Sequence, residues 1–119
     1  MTLLYTASYA TADPDRGVPV QTSIGAPRFV SYPVVKWETV APWGLVDLTD
    51  EALFRTRYRH QLHKATPKIL RELAELQEAY APLPLLLCCF EDVSKSWCHR
   101  TMLGQWISEK TGVEVSELG

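Results

Sequence analysis

Two short clusters of reactive side chains lie in the last third of the chain. Cys89-Phe90-Glu91 closes an apolar run, and Cys98-His99-Arg100 follows it. A carboxylate beside an imidazole can move protons, a thiol can act as a nucleophile, and a guanidinium can hold an anion. Any chemistry of this protein is therefore predicted to occur around these two clusters.

A buried strand positions the first cluster. The run from Leu83 to Phe90 is apolar without alternation, which is typical of a parallel strand covered on both faces. Residues two apart on a strand point to the same side, so Cys89 and Glu91 are expected to face one space. The carboxyl end of such a strand is where open α/β sheets collect ligands.

A helix start positions the second cluster. Ser96 is the candidate N-cap of a helix that runs from about Trp97 to Thr111 and stops at Gly112. Cys98 to Arg100 then lie in its first turn, where backbone N–H groups without intrahelical partners and the helix dipole favour an anion.

The rest of the chain alternates strand and helix patterns. Strands are expected at 3–7, 18–24 and 113–115, and amphipathic helices begin after the N-cap candidate Thr49 and at Thr66-Pro67. This order predicts an α/β fold, a small open, mainly parallel sheet with flanking helices in Rossmann-like layering of two or three layers. Apolar stripes mark the inward helix faces: Phe54, Tyr58, Leu62, Ile69, Leu73, Leu76, Tyr80, Met102, Leu103, Trp106 and Ile107.

Length and composition fit one folded domain over residues 1–119. Hydrophobic residues make up 46%, and the net charge of −2 excludes a global basic field for nucleic acid. Neither an export signal nor a membrane-length apolar run is recognised, so a cytoplasmic protein without membrane contact is expected. The three cysteines are then expected to be free thiols.

Residues 25–48 are predicted to be an irregular insertion rich in proline and aromatic residues. Its aromatic side chains are expected mainly to plug the sheet, with a lid or a partner surface as the alternative.

The candidate site residues follow from this arrangement. Glu91 is the proposed nucleophile or general base, assisted by His99 or Cys98. Residues near neighbouring strand ends complete the predicted substrate-binding set, which is Arg100, Cys89, Tyr5, Ser8, Ser23 and Arg28.

Metal binding and disulfide formation are alternatives for the cysteines. Cys89, Cys98, His99 and Glu91 could bind zinc in principle, but their spacing matches none of the common zinc patterns, so neither a metal nor another cofactor is predicted. A Cys89–Cys98 disulfide has proximity as its only support. Simple packing is the commoner role of a cysteine in an apolar strand.

The two clusters together resemble the signature of a bacterial and phage family, domain of unknown function 488. The similar residues are Leu86 to Glu91 followed by Cys98-His99-Arg100, with looser similarity at Tyr5-Thr6, Thr22-Ser23-Ile24 and Pro27-Arg28. The resemblance implies an α/β fold with a parallel sheet and carries no established activity. An Asp-Val-Arg that longer members have after the second strand is replaced here by Ser23-Ile24-Gly25.

Three functions remain open from the sequence. The leading one is an enzyme that acts on a nucleotide or another small anionic substrate. The second is a nucleic-acid or protein binding module. The third is a structural network in which Arg100 pairs with Glu91 or Asp92. The basic stretch is Arg55, Arg57, Tyr58, Arg59, His60, His63 and Lys64, and the binding module would use its Arg55, Arg57, Arg59 and Lys64 together with exposed aromatic residues from 29–43.

Overall fold

A parallel sheet forms the centre of the molecule in this computed structural model, which describes residues 4–90 and 97–118. Its strands lie in the order β3-β2-β4-β1-β5, and each pairing is parallel. The predicted α/β class with an open parallel sheet is therefore confirmed. The strands are β1 (Leu4–Ser8), β2 (Val18–Gln21), β3 (Val35–Lys36), β4 (Leu85–Cys89) and β5 (Val115–Glu117).

The described residues form three α-helices, which are α1 (Glu51–Lys64), α2 (Thr66–Tyr80) and α3 (His99–Thr111). Their buried stripes share one hydrophobic cluster with the strand residues Leu85 and Leu87. Leu86 and Cys88 point to the other face, where a second cluster includes residues of the irregular segments. Every residue of β4 is buried, as its unbroken apolar run predicts. The helices thus cover one face of the sheet and irregular chain covers the other.

The helix starts differ by one or two residues from the predicted ones. The N-cap of α1 is Asp50, not Thr49, because the Asp50 carboxylate accepts the backbone N–H of Leu53 at 3.1 Å. The N-cap of α2 is Ala65 rather than Thr66. Helix α3 begins at His99 with Cys98 as its N-cap, so Cys98 lies before the helix and not in its first turn.

The end of α3 is as predicted. Gly112 adopts φ 75°, a left-handed conformation that favours glycine, and donates its N–H to the carbonyl of Ser108. Gly104 brings the same helix close to the sheet, because a Cβ there would lie 3.1 Å from Val115 Cγ1 and 3.2 Å from Thr6 Cγ2.

The segment 25–48 contains some regular structure, although its prolines predict an irregular chain. It forms the edge strand β3 and a turn of 3-10 helix at Glu38–Val40. Its aromatics divide between two environments, since Trp37 is buried in the core while Phe29 and Trp43 are exposed. The Trp37 indole N–H donates to Glu72 at 2.9 Å, which ties this segment to α2.

The strand order creates a crevice between the carboxyl ends of β2 and β4. From β2 the chain continues to β3 at one edge, and from β4 it continues through α3 to β5 at the other edge. Such a divergence is the usual place for a ligand in an open parallel sheet. Across residues 4–90 and 97–118, no helix is both long and apolar enough to cross a membrane.

Candidate functional site

Thr22 connects β2 to β4 where the two strands end. Its backbone N–H and its hydroxyl both donate to the carbonyl of Cys88, at 3.1 and 2.8 Å. The side chain and main chain of Thr22 are buried. These two hydrogen bonds fix the polar floor of the crevice.

His99 lies against that floor, and one of its ring nitrogens is hydrogen-bonded to Thr22. Its Nε2 lies 2.9 Å from the Thr22 carbonyl and 3.1 Å from the Thr22 hydroxyl. A carbonyl can only accept, and the hydroxyl already donates its hydrogen to Cys88, so Nε2 must be the protonated nitrogen. In the neutral ring the lone pair therefore lies on Nδ1.

The surroundings keep the His99 imidazole neutral. Burial lowers its pKa to about 4, opposed by the bond to the Thr22 backbone and aided by the charge of Arg100. The ring also packs edge-on against Tyr58, with centroids 5.6 Å apart. Its orientation is fixed by packing as well as by hydrogen bonding.

The Nδ1 side of His99 faces two sulfur atoms. Cys98 Sγ lies 3.7 Å from Nδ1, and the Sγ atoms of Cys89 and Cys98 lie at the bonding distance of a disulfide. The expectation of three free thiols therefore fits Cys88 but not this pair as the structure joins it. The Cα atoms of these cysteines are 7.4 Å apart. All three side chains are buried, and their potential ligand atoms lie within 4.8 Å of one another. Strand β4 and the start of α3 thus bring two sulfurs and a nitrogen lone pair to one point.

Arg100 is the fully buried hub of a polar network beside this point. Its Nε and Nη2 donate to the two carboxylate oxygens of Glu117 at 3.0 and 2.9 Å. Its Nη1 donates to Cys89 Sγ at 3.2 Å. The Thr6 hydroxyl donates to the same carboxylate at 2.7 Å. The guanidinium therefore joins β4, α3 and β5, with its charge directed inward.

A cleft of about 380 Å³ opens beside Cys98 and His99. Phe54 and Trp97 form an aromatic wall, with ring centroids 4.7 Å apart. The polar side of the cleft is the start of α3. The complete lining is Pro42, Val46, Leu48, Thr49, Phe54, Trp97, Cys98 and His99.

The structure brings some of the predicted site residues to this region. Cys89, Cys98, His99 and Arg100 meet as described above. Ser8 lies beside Cys89 in the strand register, although its hydroxyl is bonded to Thr11. Glu91 and the predicted N-cap Ser96 lie outside the described residues, as do Asp92 and Lys95.

Other predicted substrate-binding residues lie elsewhere. Tyr5 pairs in register with Leu86, three residues before the end of β1, and packs on the face away from the helices. Ser23 shares a hydrogen bond with the Tyr9 hydroxyl at 2.7 Å and donates to Gly25, so it stabilises a turn. Arg28 is exposed.

The basic stretch lies on the exposed side of α1. Arg55 pairs with Glu51 at 3.0 Å, and Arg59 pairs with Glu109 at 2.6 Å. Arg57 and Lys64 are exposed on the same helix. Carboxylates thus neutralise part of this surface.

Thr22 and Glu117 are site residues that were not predicted from the sequence. A signal for Glu117 exists, because it lies two residues after the apolar Val115 and therefore shares a strand face with it. A buried arginine requires a carboxylate partner on such a face. Thr22 has no comparable signal, since its contacts depend on the strand order.

Comparisons with known proteins give no match: none of the protein-family models, curated proteins or solved structures that were searched matches this chain.

Proposed function

We propose that the cleft beside Cys98 and His99 is the active site of an enzyme that acts on a nucleotide or another small anionic substrate. The observation that carries this proposal is the cleft itself, which has Cys98 and His99 on its polar wall, with His99 hydrogen-bonded to Thr22 just after the end of β2. A pocket with a few convergent polar groups is the default ligand site of a globular protein.

The two walls of the cleft favour a ligand with a planar part and an anionic part. Trp97, half-buried and backed by the buried Phe54, offers aromatic surface of the kind on which a nucleobase stacks. The start of α3 adds the positive end of a helix dipole, and its N-cap Cys98 makes no side-chain capping bond. A nucleotide combines both features.

The proposed roles follow from this arrangement. Glu91, two residues after Cys89 in the chain, is proposed as nucleophile or general base, in the manner of carboxylate-dependent glycosyl transfer. His99 and Cys98 would assist from the polar wall. Arg100 would act through Cys89 rather than on substrate, because its guanidinium is buried against Glu117.

Family and location are part of the same proposal. The resemblance of the Cys89 to Glu91 and Cys98 to Arg100 clusters to domain of unknown function 488 supports a divergent relationship to that family. A cytoplasmic location is proposed with it, and a reducing compartment of that kind would keep Cys89 and Cys98 available as thiols. A nucleic-acid role is less well supported, since Glu51 and Glu109 neutralise two cations of the basic stretch.

The test is a ligand and turnover screen with nucleobases, nucleosides and nucleotides. Thermal shift would detect binding, and chromatography would detect product. We expect Glu91→Gln and His99→Gln to lower turnover of any substrate found by about 100-fold or more. Arg100 is left unchanged, because its removal would unpair a carboxylate.

His60→Gln is the matched control, since His60 is an exposed histidine of α1 and does not line the cleft. It should leave turnover unchanged. If the wild-type protein shows neither a thermal shift nor turnover with any compound of the screen, the proposal is wrong.

A further inference from the structure

Three potential metal ligands converge at the junction of β4 and α3. One potential ligand atom from each of Cys89, Cys98 and His99 lies within 4.8 Å of the other two, and each side chain is buried. In a tetrahedral zinc site, a Zn–S bond of about 2.3 Å and a Zn–N bond of about 2.0 Å place the sulfur and the nitrogen about 3.5 Å apart. The separation of Cys98 Sγ and His99 Nδ1 is 3.7 Å. This pair already has the spacing of two ligands of one ion.

The hydrogen bond on the other side of His99 has the form found behind metal-bound histidines. A ligating imidazole usually donates its second ring N–H to a carbonyl or carboxylate, which fixes the tautomer and the ring plane. Here Nε2 donates to the Thr22 carbonyl at 2.9 Å. The Nδ1 lone pair is consequently directed to the side where the sulfurs lie.

Arg100 supports the thiolate form of Cys89. Its Nη1–H donates to Cys89 Sγ at 3.2 Å. A charged donor bonds a thiolate more strongly than a thiol, and the thiolate is the form that binds metal. The hydrogen bond from Arg100 thus supports Cys89 as a ligand, just as the hydrogen bond to Thr22 supports His99.

The backbone spacing of the two cysteines suits joint coordination better than a disulfide. Their Cα atoms are 7.4 Å apart. Ordinary disulfides have Cα separations of about 4.4–6.8 Å, and a separation above about 7 Å requires backbone movement. Two sulfurs bound to one zinc ion lie about 3.7 Å apart, so their Cα atoms are spaced more widely.

We propose that Cys89, Cys98 and His99 bind a single zinc ion. Two thiolates and an imidazole form a soft to borderline ligand set, which selects zinc over magnesium or calcium. Because Cys98 and His99 also line the cleft, the set adjoins an open space, as in zinc sites that leave a position for water or substrate. The ion would bind whether or not the cleft turns over a substrate, so this inference does not rest on the proposed function.

The site escapes pattern recognition because its ligands belong to different elements. Common zinc patterns count short spacings within one or two loops, whereas here one ligand ends a strand and the others start a helix. The expectation of no metal, drawn from spacing, is therefore replaced by this proposal.

Metal content is the first experiment. The full chain, purified without chelator, is analysed for metals and then titrated with Zn²⁺ and with Co²⁺ alone. We expect about one zinc per chain, and for Co²⁺ a thiolate charge-transfer absorption that roughly halves in Cys89→Ser and in Cys98→Ser. Loss of an outer-shell partner lowers metal affinity by about 10- to 100-fold. Loss of a ligand should lower zinc affinity by more than this in each variant.

Cys88→Ser is the matched control. Cys88 neighbours Cys89 in sequence but points to the opposite face of the sheet, where its Sγ contacts the Leu86 carbonyl. This variant should keep full zinc content and the full cobalt absorption. If a cysteine variant is too unstable to purify, His99→Gln tests the nitrogen ligand, with loss of zinc affinity expected.

Cysteine alkylation separates the proposal from a disulfide. The protein is unfolded in chelator without reductant, and the alkyl groups are counted by mass. Zinc coordination predicts that all three cysteines react, whereas a Cys89–Cys98 disulfide leaves Cys88 as the one reactive thiol. Alkylation of Cys88 alone, or three thiols in a protein that binds neither Zn²⁺ nor Co²⁺, would overturn the proposal.

Discussion

Arg100 shows how a charged residue is tolerated in the interior of this protein. The guanidinium is fully buried, and a bidentate pair with Glu117 balances its charge. The Glu117 side chain keeps 26% of its surface exposed, so only one partner bears the full cost of desolvation. The pair connects the helix that carries the site to the edge strand β5.

The Arg100–Glu117 ion pair is expected to stabilise the folded state. Glu117→Gln keeps the shape of the side chain but removes the negative charge that faces Arg100. Loss of one partner from a buried pair costs about 3 to 5 kcal/mol, and water access to Glu117 favours the lower end of that range. Urea unfolding monitored by circular dichroism measures the loss.

Glu114→Gln is the control for this substitution. Glu114 is exposed just before β5, so the same chemical change should alter the free energy of unfolding by less than about 0.5 kcal/mol. Equal effects of the two variants would mean that the buried pair contributes nothing specific.

At the scale of elements, α3 positions the site because it packs closely against the sheet at Gly104. Gly104 faces Val115 and Thr6 with no room for a larger side chain. Four residues earlier, Arg100 reaches Glu117 on the same strand as Val115. The depth of the helix on the sheet therefore sets the geometry of the polar network.

Gly104→Val tests this close packing. The added isopropyl group would force α3 away from β1 and β5, and overpacking of this kind costs about 1 to 3 kcal/mol or more. We expect a lower melting temperature together with weaker packing around Arg100. Gln105→Val, an exposed neighbour in the same helix, carries the same β-branched penalty without the clash. A similar loss in both variants would contradict the packing argument.

At the scale of the whole molecule, covering the sheet on both faces buries groups that would ionise in alkali. Burial raises the pKa of Cys88 to about 12 and that of Tyr9 to about 12. In the unfolded chain the thiol loses its proton near pH 9, while in the native state it keeps it. Between pH 9 and 12 the unfolded state therefore binds fewer protons, and the free energy of unfolding falls as pH rises.

The resulting prediction is a loss of stability in alkali. Cys88 should contribute roughly 1 kcal/mol for each pH unit above 9, with Tyr9 adding to the slope at higher pH. Urea unfolding at pH 8 and pH 10 measures the change. Cys88→Ser should flatten the slope between these values, because a serine hydroxyl does not ionise there. An unchanged slope in that variant would show that Cys88 is not responsible.

Much of this fold follows from local sequence patterns. The unbroken apolar run 83–90 identifies a strand covered on both faces, and the stripes of α1, α2 and α3 identify the helix faces that cover one of them. These patterns can be read locally because the spacing of apolar residues within one helix or strand determines which of its faces is buried. Helix starts were less well determined, because neighbouring residues such as Thr49 and Asp50 compete for the same capping role.

The sequence by itself determined which residue types meet at the β4–α3 junction, because Cys89 and Cys98 to Arg100 flank one connection between two strong elements. Only the tertiary structure decided their partners. Thr22 and Glu117 reach the site from strands distant in sequence, and no local pattern encodes that β2 and β5 lie on opposite sides of β4 and β1. Strand order depends on how the whole sheet buries its faces, so the chemistry of the junction becomes defined only when the sheet is assembled.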